Sequence, residues 1–183
     1  YWKYKLYSNL KALAIKNVLN NLINIDTNSE SETVNVPEIT EARRNIVEIL
    51  EEQMETSLRT IFKLLAVIYD EDDIKITYSG LLSDIDDARI NALEFLDNLL
   101  KGQLKLKLIP LLEHFSTKND VSKNRLLKSK IVNEEIGLTI LIKNRGKRSK
   151  LAALALMQAL NDRRFISLVK SLKKHKNIEV RYA

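Results

Sequence analysis

Cysteine is absent from this 183-residue chain. Without a thiol there is no disulfide framework and no thiolate nucleophile or ligand, a usage that suits a reducing compartment. Only four glycines and two prolines occur, so helix breakers are scarce. Val, Thr and the aromatic residues do not gather into alternating runs, and no segment carries the two-residue period of a strand. No apolar run reaches the roughly 18 residues of a membrane span, and no signal peptide is visible. Gly-rich phosphate loops and nucleophile motifs are missing too. The two histidines, His114 and His175, give no metal-ligand spacing; each closes a second helix, where a cation suits the helix dipole. Asp70, Glu71, Asp72 and Asp73 resemble a calcium loop only in charge, lacking the alternating spacing and central glycine, and read as a solvated turn. The expectation is a non-enzymatic chain with no catalytic residue, no cofactor and no metal.

What the sequence holds is helical periodicity. Apolar content is 45% and charged content 30%, ordinary for a soluble domain. The organising stretch runs from Asp84 to His114. Ile85, Ala88, Ala92, Leu93, Phe95, Leu96, Leu99 and Leu100 fall on one face of a first helix, with Asp84 as cap and Gly102 as stop. Leu104, Leu106, Leu108, Ile109, Leu111 and Leu112 make a second helix, with Pro110 inside it. A basic residue recurs at the same helical place, Arg59, Arg89, Lys150 and Arg181, at a spacing of about thirty residues or twice that. Two helices cannot bury their apolar faces alone, so such pairs stack.

The rest follows the same reading. Trp2 to Ile25 is a helix, with Tyr1, Trp2, Tyr4 and Tyr7 packing on a neighbour or, alternatively, forming a membrane-interface belt. Residues 26–36 are an acidic loop. A long helix runs from Glu38 to Tyr69, with a break expected near Glu55-Thr56-Ser57. A helix over 74–82, a linker over 116–122 and helices over 125–131 and 133–143 come next. Ser149 caps a helix to Leu160. Arg163 to His175 is then one helix that buries Phe165, Ile166, Leu168, Val169 and Leu172. The organisation is residues 1–53 as N-terminal helices and residues 54–183 as about four repeats, the last truncated. With no initiator Met and an end just inside a helix, the chain reads as a fragment of a larger protein.

Asp84-Ile-Asp-Asp-Ala-Arg-Ile-Asn-Ala-Leu and Asn177-Ile-Glu-Val-Arg-Tyr-Ala resemble the start of a HEAT repeat. The likeness implies an all-α α-solenoid of HEAT-like helical hairpins with a longer helical N-terminal cap. It also implies a ladder in which Arg89 reaches Asp84, Asp86 or a neighbouring turn. Lys150 departs from the pattern, and Arg59 lacks the acidic cap. Residues 54–183, through Ile61-Phe62-Lys63-Leu64-Leu65, Asn91 to Leu100 and Leu108-Ile109-Pro110-Leu111-Leu112, are similar to the soluble HEAT-repeat region of bacterial ATP/ADP carrier-like or major-facilitator-type transporters.

Charge is unevenly placed. Residues 1–116 hold 13 Lys+Arg against 19 Asp+Glu, and residues 117–183 hold 17 against 5. The basic set Lys143, Arg145, Lys147, Arg148, Lys150, Arg163, Arg164, Lys170, Lys173, Lys174 and Lys176 is the candidate interaction patch. It suits a protein partner or the membrane portion of the parent chain, anionic lipid, or nucleic acid, and no small-molecule substrate. HEAT-like DNA glycosylases keep an enzyme conceivable on fold grounds, but no catalytic acid is placed among these cations. The expected place is the cytoplasm, or the cytoplasmic face of the membrane in the full-length parent.

Overall fold

The computed structural model describes residues 2–28, 36–116, 133–144 and 146–182. Among these the elements are helices, and no strand occurs. The order is α1 (Trp2–Asn28), α2 (Val36–Leu65), α3 (Glu71–Leu81), α4 (Asp86–Leu99), α5 (Gly102–Ser116), α6 (Glu134–Asn144), α7 (Lys147–Leu160), α8 (Ile166–Ser171) and α9 (Ile178–Tyr182). Short 3-10 turns at Arg163–Phe165 and Leu172–Lys174 flank α8. The helix expected at 125–131, the linker after Ser116 and most of the acidic loop lie outside the described residues. So do Tyr1 and the side chains of Trp2 and Tyr4.

The chain divides into two compact units. The first comprises Tyr1–Lys11 and Met54–Lys128, the second Ala12–Gln53 and Ser129–Ala183.

In the first unit, Asp70 starts α3. Its carboxylate accepts hydrogen bonds from the Asp72 and Asp73 amides at 3.0 and 3.1 Å, while Glu71, Asp72 and Asp73 sit in the first turn, where the dipole favours negative charge. The acidic run is thus a helix start. The cap expected at Asp84 falls instead on Ile85, in extended backbone and without a side-chain hydrogen bond. Arg89 fastens this turn, donating to the Ser83 carbonyl at 2.6 Å and pairing with Asp86. The core holds Leu58, Ile61, Phe62, Leu65, Ile74, Leu96, Leu100, Leu108, Leu111 and Leu112. Phe62 meets Tyr78 ring to ring at 4.8 Å. Lys11 lies over the exposed ring of Tyr7, 4.5 Å from its centre. Ile85, Phe95 and Leu106, expected inside, are exposed; a helical stripe selects a face but does not say how far its neighbour extends.

Two glycines have opposite roles here. Gly102 has φ +60° and open space where a Cβ would stand, so it is required by torsion alone. It sets the first residue of α5 after Leu100 leaves α4 in extended backbone. Gly80 is inside α3, where a Cβ would lie 3.1 Å from the Ala92 Cβ and 3.2 Å from the Ala88 carbonyl oxygen. It is required by close approach of α3 to α4. Alanine at a helical site gains about 1 kcal/mol in propensity, but overpacking against a backbone carbonyl costs about 1–3 kcal/mol. Gly80→Ala is therefore expected to destabilise by about 1 kcal/mol, read as a lower urea midpoint.

In the second unit, Leu13, Ile15, Leu19, Ile46, Leu50, Leu138, Leu141, Ala153, Leu156 and Phe165 are buried. Helix α2 passes through Glu55-Thr56-Ser57 without the expected break: Met54, Leu58 and Ile61 continue its buried stripe, and no glycine or proline interrupts it. Its Arg43 is a buried cation, with a side chain 8% exposed. It donates to Glu134 through Nε at 2.8 Å and Nη2 at 3.1 Å, and pairs with Asp26. Thr40 Oγ1 donates to the same Asp26 carboxylate at 3.0 Å. Three segments, from α1, α2 and α6, are thus joined through one guanidinium. Burial works against its charge, and the hydrogen bonds and fields of Glu134 and Asp26 outweigh it, so its pKa stands above the ordinary value.

Candidate functional site

The basic patch does not stay whole. Four of its cations are engaged. Lys147 pairs with Glu179 at 2.5 Å, holding α7 to α9. Arg148 pairs with Glu52. Arg164 pairs with Asp162 at 2.6 Å and Glu135 at 3.3 Å; this pairing raises the Arg164 pKa and lowers that of Asp162. Lys150 is buried in α7 and its ammonium donates to the Ile142 carbonyl in the last turn of α6, an oxygen with no helical partner of its own. Arg145 lies outside the described residues. Among the described residues, Lys143, Arg163, Lys170, Lys173, Lys174 and Lys176 have no ion partner.

Nor does Ser149 cap α7 as expected. Gly146 holds that position, and Ser149 is buried within the first turns, its hydroxyl accepting from Gln53 Nε2 at 2.9 Å. Of the recurring basic positions, Arg59 pairs with Glu55 at 3.1 Å and Arg181 is exposed without an ion partner, while Lys150 and Arg89 hold carbonyl oxygens. His175 closes the second 3-10 turn, its Nδ1 accepting from the Asn177 amide at 3.1 Å. The side chain of His114 lies outside the described residues.

Desolvation by burial lowers the Lys150 pKa. Between that lowered value and the ordinary one the unfolded chain binds more protons than the folded chain, so stability rises with pH across this alkaline window. Lys150→Met is expected to abolish that rise. Urea midpoints measured at several alkaline pH values check it.

Around the free cations the chain builds an open groove. Helix α7 ends at Asn161, which takes the left-handed conformation at φ 48°, tolerable for asparagine. Asp162 then accepts from the Arg164 amide at 2.8 Å and starts the 3-10 turn. The reversal lays α8 beside α7 and encloses about 460 Å³. Helix α7 contributes Leu154, Met157, Gln158 and Asn161, and the returning segment Ile166, Val169, Lys170 and Lys173. Leu154, Met157 and Gln158 share one face of α7 and Ile166, Val169 and Lys170 one face of α8, while Asn161 and Lys173 lie just beyond the helix ends. Leu154, Met157 and Phe165 are buried and make the floor, while Ile166 is 47% and Val169 38% exposed. Arg163, Lys170 and Lys173 stand on the rim.

Ile166 and Val169 were expected in the core. They are instead the exposed wall of this groove, and a single helical stripe carried no signal that would have separated them from Phe165. Two other openings have most of their charges paired. One, of about 470 Å³ in the first unit, is bordered by Arg59 and Lys75, tied to Glu55 and Glu71, and by Lys63, which has no ion partner among the described residues. The other, of about 390 Å³, has Glu134, Glu135 and Asp162 held by Arg43 and Arg164. No cluster of three or more His, Asp or Glu that could hold a metal ion occurs among the described residues, nor any helix long and apolar enough to cross a membrane.

The class these observations define is an all-helical protein with an open, basic-rimmed groove. Comparison of the chain with protein families, curated proteins and solved structures returned no match.

Proposed function

We propose that the chain is a non-catalytic protein-interaction module. In this reading it is an α-solenoid of HEAT-like helical hairpins, part of a larger transporter-like membrane protein and facing the cytoplasm. It holds an acidic protein partner on its C-terminal basic surface. Packing of α3 on α4 and α4 on α5, and of α6 on α7, is what stacked hairpins require. The observation that carries the reading is the division of the cations: some are consumed by the fold, while Arg163, Lys170 and Lys173 are left free beside apolar surface.

Free cations also attract phosphates. Yet the groove's one aromatic residue, Phe165, is 4% exposed and offers no face for a base to stack upon. The test uses fluorescence anisotropy at low salt with two probes, a glutamate-rich peptide and random duplex DNA. The peptide is expected to bind, and Arg163→Glu, Lys170→Glu and Lys173→Glu together to remove that binding. Loss-free binding in this variant, or duplex DNA binding more tightly than the peptide, overturns the reading. The transporter origin has a separate test: the parent gene should encode several membrane spans upstream of Tyr1, and a parent without them removes it.

A further inference from the structure

We infer that the groove between α7 and α8 takes a single acidic amphipathic helix. The inference rests on the protein-binding reading above and specifies the form of the partner. One face of α7, with Leu154, Met157 and Gln158, and one face of α8, with Ile166, Val169 and Lys170, border the same open groove, and a groove walled by helix faces suits a helix. The span from Leu154 to Asn161 covers two turns, about 10 Å of axis, so the occupant needs two to three turns of contact.

The groove is chemically sorted. Its floor, Leu154, Met157 and Phe165, is almost wholly buried, and the apolar surface it offers is the exposed wall of Ile166 and Val169, which calls for an apolar stripe. Its rim carries three cations with no carboxylate partner among the described residues, and the acid in its lining, Asp162, is held by Arg164. An extended acidic chain would reach the rim but would present side chains on both sides in alternation. A helix presents apolar residues down one face and acids along its flanks.

The test compares two fluorescent peptides of identical composition. One places leucines at i, i+3, i+4 and i+7 with glutamates between; the other is its scramble. The ordered peptide is expected to bind at least about tenfold more tightly, because only it covers Ile166 and Val169 with apolar side chains while meeting the rim. Ile166→Ser with Val169→Ser, both at exposed positions, is expected to erase that margin, with the chain's helical circular dichroism unchanged. Equal affinity for the two peptides overturns the inference and leaves the protein-binding reading standing. Binding of neither peptide, or indifference to reversal of Arg163, Lys170 and Lys173, removes both. A self-associating chain dispersed by the same serine substitutions would assign the groove to a second copy and likewise overturn the inference.

Discussion

Replacing Arg43 with alanine is expected to destabilise the second unit by about 3 kcal/mol. Breaking a buried pair by removing one partner costs about 3–5 kcal/mol, because the remaining charge stays desolvated. Here the side chains left behind, Asp26 and Glu134, are 20% and 16% exposed. Water reaches part of each, so the low end of that range applies. The loss should appear as a lower urea midpoint in the helical circular dichroism signal. A companion variant carrying Arg43→Met, Asp26→Leu and Glu134→Leu separates the two contributions to that figure. It has no stranded charge, and apolar replacement of a buried ionic cluster is often neutral. It should recover most of the lost stability. If it is as unstable as Arg43→Ala, the guanidinium's contribution lies in its own bonds and not in the charges it covers.

The second large effect is expected in the first unit. Leu96 is fully buried in α4, and Leu→Ala at such sites costs about 2–5 kcal/mol through lost transfer energy and an unfilled cavity. Its surroundings include Ala92 and the close α3–α4 approach at Gly80, where backbones already touch and have little room to collapse inward. A loss of about 3 kcal/mol is expected for Leu96→Ala. Leu106→Ala, one exposed leucine along on α5, should change the midpoint by less than about 0.5 kcal/mol. Equal effects at the two positions would contradict the assigned burial.

The helices themselves were legible because their signals are local. Few breakers and steps of three and four are properties of neighbours in sequence, and they placed α1, α3 and α4 within a few residues. What was illegible depends on distant partners. Arg43 reads as one charge among many on an exposed-looking helix; its partners stand 17 and 91 residues away. Lys150 looked like a surface cation and is buried against a carbonyl of the preceding helix. The run from Arg163 to His175 looked like one helix, yet it is a 3-10 turn, a short helix and another 3-10 turn. That irregular path turns Ile166 and Val169 outward. The charge asymmetry was visible from composition; which cations remain free was not, because it depends on where each carboxylate comes to rest.

Gly102 carries one more consequence. Since a Cβ there would meet nothing within 4 Å, the penalty for Gly102→Ala comes from the handedness of the backbone, offset by the unfolded chain's loss of freedom, and not from crowding. Alanine and serine should be disfavoured to a similar degree, with asparagine the mildest exception. One peptide unit between two helices thus serves as an internal gauge of chirality, unmixed with packing.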